Sequence, residues 1–218
     1  LSDVVPDNEI VFVDTGGNLT WTCNGFRVKQ GQRLISAWNN TPMGYSLPAA
    51  IGAATANPSR MVTCIIGDGG LMLCLSELVT VKQRDLPIRI LLFNNHGHGI
   101  QKQTLETWLE GNYVGVDTAS GLAFPDFPRL AMALDLDVVT INSTGAIREQ
   151  LTDLYIHRAP IFCNIEINPD QKLYPFLKFG MALENQFPPM DQTKSRSLMF
   201  VEPYVAENES GLLGTPGI

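Results

Sequence analysis

The stretch IIGDGGLMLCLSEL, residues 65–78, decides how the rest of the chain is read. An apolar run stops at Gly67-Asp68-Gly69-Gly70, and a helical pattern begins. Leu71, Leu75, Leu78 and Val79 fall at i, i+4, i+7 and i+8, which is one stripe of a helix. A strand thus passes to a helix through glycines, with one carboxylate set among them. Glycines let backbone amides approach an anion, and a helix N-terminus adds favourable partial charge. A carboxylate at such a place repels a phosphate unless a cation lies between them.

The same alternation extends in both directions. EIVFVD (9–14), MVTCIIG (61–67), IRILLFNN (88–95), DVVTIN (137–142) and IFCNIEI (161–167) are apolar, β-branched runs, as expected of strands covered on both faces. GYSLPAAIGAATA (44–56), FPRLAMALDL (127–136) and GAIREQLTDLYIHR (145–158) read as helices, the last capped by Ser143 or Thr144. Strand–helix–strand alternation gives parallel strands with right-handed crossovers. The expected class is α/β, a parallel sheet covered by helices on both faces, with an irregular C-terminal tail. Residues 168–218 are richer in Pro and Gly and lack periodicity. The expected division is a binding domain over 1–185 and an extended tail or linker over 186–218.

Composition narrows the function classes. A hydrophobic share of 44% with 17% charged residues is globular rather than disordered. A net charge of −7 argues against a nucleic-acid partner and against a basic membrane-surface patch. No apolar run reaches the ~18 residues of a membrane-spanning helix, and no signal peptide is evident. The chain opens LSDVVPDNEI without an initiator Met and is read as a possible fragment. Cys23, Cys64, Cys74 and Cys163 show no CxxC spacing; free thiols are expected, which fits a cytoplasmic location.

Ligands of open parallel sheets bind at the carboxyl ends of the strands. Two polar clusters fall there: Gly67–Gly70, and NNHGHG, Asn94 to Gly99. Each alone is an ordinary turn. Between Gly69 and Asn94 lie residues 70–93, 24 in all, which suits one helix and one returning strand and makes the clusters neighbours. A carboxylate, an amide oxygen and a carbonyl are hard oxygen donors suited to Mg²⁺ or Ca²⁺. The residues by themselves therefore point to a metal-bridged diphosphate site, with Asp68 on the metal and Gly69 and Gly70 near the phosphates.

GDG, 24 residues, then NN resembles the thiamine diphosphate-binding motif of the thiamine-dependent enzymes. TPMGYSLPAAIGA (41–53), VDTGGNLTW (13–21) and INPDQKLYPFLKFG (167–180) resemble the C-terminal, diphosphate-binding domain of the acetolactate synthase-like branch. The resemblance covers about residues 5–185 and implies roles by position. Asp68, the Asn95 side chain and the Gly97 carbonyl hold Mg²⁺; Gly67, Gly69 and Gly70 approach the diphosphate. Met43 supports the bent cofactor, and the carbonyl of Thr41, where the family commonly has Gly, accepts from its amino group. His98, Gly99 and Ile100 line the cofactor, and Ile100 and Gln101 face the substrate. Several 2-keto acid decarboxylases carry Glu where Gln101 stands, so Gln101 tilts the reading towards carboligation.

The implied activity is decarboxylation of a small 2-keto acid with carboligation, acetolactate synthase-like. A 2-keto acid decarboxylase and a non-catalytic cofactor-binding or assembly module are the alternatives. No catalytic residue is assigned with certainty. The implied partner is a pyrimidine-binding domain or subunit that supplies an activating Glu, within a homo- or hetero-oligomer. His96 and His98 as a zinc pair lack a third ligand, and His96 reads as solvated. His157 reads as solvated or facing a helix C-terminus, and Glu77 as structural. A thiamine-independent nucleotide-binding protein lacks its GxGxxG or Walker pattern.

Overall fold

The computed structural model describes residues 1–157, 160–177 and 181–202. Arg158, the end of one helical reading, and residues 178–180 and 203–218, the last covering half of the expected tail, lie outside them. Contacts divide the chain between Leu173 and Tyr174.

The larger unit alternates strand and helix. In chain order it holds β1 (Ile10–Val13), α1 (Gly17–Gly25), β2 (Arg33–Ile35), α2 (Ser46–Ala56), β3 (Val62–Gly67), α3 (Asp68–Met72) and α4 (Glu77–Gln83). It continues with β4 (Ile88–Asn94), α5 (Gly99–Trp108), α6 (Phe127–Ala133), β5 (Asp137–Ile141), α7 (Ile147–Ile156) and β6 (Ile161–Glu166). All six strands are parallel, in the order β2-β1-β3-β4-β6-β5.

Side-chain alternation builds a core on each face. Phe12, Cys64, Ile66, Ile90 and Leu92 meet α2, α4 and α6 through Leu47, Ala50, Leu78, Val81 and Phe127. Val11, Val13, Ile65, Leu91 and Cys163 meet α7 through Leu151 and Leu154, with Leu19 of α1 at the margin. The central strands β3 and β4 are buried nearly throughout, which is why they lack polar alternation.

Several local expectations are corrected. The helix after Gly70 is not continuous. Leu73 and Cys74 donate to carbonyls three residues back, at 3.1 and 3.0 Å, so the chain tightens and α4 restarts at Glu77. Leu71 and Leu78 are buried, but Val79 is turned to solvent. The residue before α7 is Ala146, without a side-chain cap; Ser143 Oγ accepts instead from the Gly145 amide at 3.3 Å. β2, α1 and α5 add to the expected elements. β2 has three residues and no buried one, and α1 has glycines at both ends and no apolar stripe. Cys64, Cys74 and Cys163 are buried free thiols, and Cys23 is an exposed one.

From Tyr174 onward, β7 (Phe176–Leu177) pairs antiparallel with β8 (Gln186–Phe187). Tyr174, Phe176 and Phe187 pack their rings at 5.4–6.2 Å. The helix α8 (Gln192–Leu198) follows, its first turn capped by the Asp191 carboxylate. Among the described residues no helix is long and apolar enough to cross a membrane.

At the amino ends of the strands a buried ion pair joins the sheet to α7. Arg89 Nη1 donates to both Glu9 oxygens at 3.1 Å, and its Nη2 donates to the carbonyls of Tyr155 and His157. Thr63 Oγ1 bridges Glu9 and the Tyr155 hydroxyl. Burial pushes the Glu9 carboxyl above its usual range, while Thr63 and Arg89 pull it down. Arg89→Leu is expected to destabilise the chain by about 3–5 kcal/mol at pH 7, because it strands a buried charge. The double replacement Glu9→Leu/Arg89→Leu should lose far less. A carboxyl with a raised folded pKa contributes stability below its unfolded pKa and loses it as pH rises. The deficit of Arg89→Leu in urea unfolding should therefore narrow as pH falls and Glu9 protonates.

Candidate functional site

The carboxyl ends of β1, β3 and β4 lie side by side, with Val13 opposite Ile65 and Gly67 opposite Phe93. They deliver Thr15–Asn18, Gly67–Gly70, Asn95 and Gly97 to one cavity of about 510 Å³. Asp68 is buried at the start of α3. Its Oδ1 accepts from the Gly69 amide at 2.7 Å and its Oδ2 from the Gly97 amide at 3.1 Å. Burial pushes the Asp68 carboxyl up to about 6, against the opposing effect of these amides and of His96.

Asn95 completes the cluster. Its amide points its oxygen at two others, the Gly97 carbonyl at 2.9 Å and Asp68 Oδ2 at 3.3 Å. In this orientation three oxygens face one another without a hydrogen between them. Turned over, the amide nitrogen donates to both. The two orientations fill the same space, and a cation set among the three oxygens would favour the first. Adjacent donors of an octahedral Mg²⁺ at ~2.1 Å stand about 3 Å apart. The donor set and its spacing therefore fit a small divalent cation.

Glycine at two positions is dictated by contact. A Cβ on Gly69 would lie 2.5 Å from His98 Cε1 and 2.9 Å from Met43 Cε, and one on Gly70 would lie 2.1 Å from Asp14 Oδ2. Asp14 is fully buried and accepts the amides of Gly44, Tyr45 and Ser46 at 2.9, 2.8 and 3.0 Å. That carboxylate caps α2 and pins the turn that carries Met43. Within the turn Thr41 has φ +41°. Thr41 thus holds a left-handed backbone on a β-branched residue, at a cost in strain.

Thr41, Met43, Gly67, Asp68, Gly69 and Gly70 line the cavity from one side, and Asn95, Gly97, His98, Gly99, Ile100 and Gln101 from the other. All twelve residues singled out in the sequence are brought together. Ile100 and Gln101 lie in the first turn of α5, at the exposed rim. His98 packs edge-on to Phe124, with ring centroids at 6.0 Å, and burial lowers its pKa. His96 turns away from the cavity to Glu166, 2.7 Å from Nε2 to Oε2, so its ring is partnered as well as half exposed. The two histidines thus diverge, and among the described residues no three His, Cys, Asp or Glu side chains gather as a metal cluster.

Sequence reading assigned no site role to Thr15–Asn18 and Trp21, although they line the cavity. The available signal was Asp14-Thr15-Gly16-Gly17, which repeats the strand-to-glycine pattern of Gly67–Gly70. Asn18 Nδ2 donates to the Asp14 carbonyl at 2.7 Å, closing this turn. Trp21 packs on Gly17, and its buried Nε1–H has no partner among the described residues. Val114–Val116 complete the walls from a loop that carries no motif, and Gln171 and Leu173 from the INPDQKLYPFLKFG segment, to which no site role was assigned.

A parallel sheet with glycine turns, a buried Asp and an Asn at adjacent strand ends defines an α/β cofactor-binding domain. The sequence model described as "Thiamine pyrophosphate enzyme, C-terminal TPP binding domain" matches residues 14–165. The chain is 30% identical over 178 residues to the acetolactate synthase isozyme 1 large subunit of Escherichia coli (strain K12), covering 82% of this chain and 31% of that protein. It is 30% identical over 169 residues to the acetolactate synthase large subunit of Porphyra purpurea, covering 78% and 28%. The probable acetolactate synthase large subunit of Methanocaldococcus jannaschii is also 30% identical, over 183 residues, covering 84% and 30%. The chain belongs to the thiamine diphosphate (thiamine pyrophosphate) enzymes, as their C-terminal cofactor-binding domain in the acetolactate synthase-like branch. It spans about a third of the length of these relatives.

Asp14→Ala is expected to lower stability by about 2 kcal/mol, the upper range for a lost helix cap, because three amides lose one buried acceptor. Urea denaturation measures this, and Asp14→Asn, which keeps one oxygen, should lose less.

Proposed function

We propose that this chain holds thiamine diphosphate through Mg²⁺ and, with a partner, serves the decarboxylation and carboligation of a small 2-keto acid. One observation carries the reading. Asp68 Oδ2, the Asn95 side-chain amide and the Gly97 carbonyl converge beside the glycine turn at the strand ends. Asp68, Asn95 and Gly97 would hold the cation, which removes the repulsion between the buried carboxylate and the diphosphate. Gly69 and Gly70 would bring amides to the phosphates, and Gly67 and Gly99 leave room for them. Met43, whose Cε reaches over Gly69, would support the cofactor ring, and the Thr41 carbonyl would accept from its amino group. His98 lines the same wall.

When bound, thiamine diphosphate supplies a nucleophilic carbon for the substrate carbonyl and a sink for the electron pair left by carbon dioxide. Gln101, at the rim, offers hydrogen bonds but no acidic proton. That supports capture by a second carbonyl compound over protonation. Among the described residues lining the cavity, the carboxylate is Asp68, already engaged with two amides. The activating Glu is therefore assigned to a partner domain or subunit. Met43, Ile100 and Val114 are exposed around the mouth, and an oligomer that covers them would complete the site. The three buried free thiols support a reducing, cytoplasmic setting.

Calorimetric titration tests the metal. Thiamine diphosphate should bind with Mg²⁺ and not without it, and Asp68→Ala should weaken binding by more than ~100-fold with the fold intact. A proton competes with the metal for Asp68, so below the carboxyl's value of about 6 affinity should fall roughly tenfold per pH unit. Metal-independent binding overturns the reading.

A second test addresses the partner. The chain alone, saturated with thiamine diphosphate and Mg²⁺, should neither consume pyruvate nor accelerate exchange of the cofactor C2 proton in NMR. Accelerated exchange would show that its own residues supply the activating carboxyl.

A further inference from the structure

Asn95 and Gly97 flank His96, whose φ of +57° lies in the left-handed region. A non-glycine residue keeps such a conformation only where its surroundings fix it. Here four side chains close a ring around the turn. Asn94 Oδ1 accepts from the His96 amide at 3.3 Å, and Asn94 Nδ2 donates to Asn164 Oδ1 at 3.1 Å. Asn164 Nδ2 donates to Glu166 Oε1 at 2.6 Å, and Glu166 Oε2 meets His96 Nε2 at 2.7 Å. Asn94 and Asn164 are buried, and the β4–β6 register places Asn94 opposite Glu166. The ring thus runs from the end of β6 to the turn between β4 and α5, while Asn95 lines the cavity.

The geometry points to Glu166 as a positioning residue. Through His96 it fixes the Asn95–Gly97 turn so that the Asn95 and Gly97 oxygens reach the same cation as Asp68. The inference rests on the metal–diphosphate reading of the site. A contact as exposed as His96–Glu166 adds little to folding. Groups that orient metal ligands, by contrast, typically change metal affinity ~10–100-fold when removed. The ring's effect therefore falls on the metal rather than on the fold.

The test is Mn²⁺ affinity by electron paramagnetic resonance at saturating thiamine diphosphate, measured alongside urea unfolding. Glu166→Ala and His96→Ala should each weaken Mn²⁺ binding ~10–100-fold with the unfolding midpoint unchanged. The double variant should be no weaker than the weaker single one, because both act through one contact. Glu166→Gln keeps an oxygen for Asn164 and an amide for the other tautomer of His96, so it should retain most of the affinity. Wild-type affinity in Glu166→Ala, with binding lost in Asp68→Asn, overturns the inference and leaves the metal site standing. A loss in Glu166→Gln as large as in Glu166→Ala, or a matching loss of fold stability, also overturns it. Wild-type affinity in Asp68→Asn, or no Mn²⁺ binding by the wild type, refutes the site reading itself and the inference with it.

Discussion

The carboxylate of Asp14, fully buried and accepting three amides at the start of α2, is the contact on which the site is hung. It joins the end of β1 to the turn that carries Thr41 and Met43, and it lies against Gly70. Burial pushes its pKa up, and the three amides oppose that shift. A carboxylate sealed from water is tolerated because helix N-terminal amides replace the water it lost. The same bonds keep Thr41 in a backbone region that its own side chain disfavours.

Asp68 has a different balance. It lies beside the same glycine turn but receives two amides, and its second oxygen faces the Asn95 amide. Asp14 is satisfied by the protein alone, whereas Asp68 shares its space with two other oxygens. Two carboxylates at neighbouring strand ends thus differ in setting, one holding the scaffold and the other lining the cavity. The difference lies in where amides are available: the turn into α2 offers three to Asp14, and the turns at Gly69 and Gly97 offer one each to Asp68.

The two ends of the sheet divide their polar groups in a similar way. At the amino ends, Glu9, Arg89, Thr63 and Tyr155 form a closed network that binds β1, β3 and β4 to α7. At the carboxyl ends, glycines expose backbone instead, and the polar groups face a cavity. Parallel strands whose ends are level bring this about, since every crossover then delivers its turn to the same edge.

The sequence by itself determined five of the six parallel strands and the two clusters Gly67–Gly70 and Asn94–Gly99, and the family resemblance added Thr41, Met43, Ile100 and Gln101. β-branched apolar runs mark strands wherever they occur, and the spacing from GDGG to NN measures one helix and one strand. These are local or counting signals, which no tertiary contact has to supply. The tertiary structure alone decided the rest. The strand order places β6 beside β4, so Glu166 meets His96 from 70 positions away. The position of β1 beside β3 brings Thr15, Asn18 and Trp21 to the cavity. Packing breaks the helix after Gly70, so Val79 leaves a stripe that its spacing had assigned to the core. The physical reason is the range of the interactions: periodicity records which face of an element is apolar, whereas a hydrogen bond between elements exists only once the order of the strands has set them side by side.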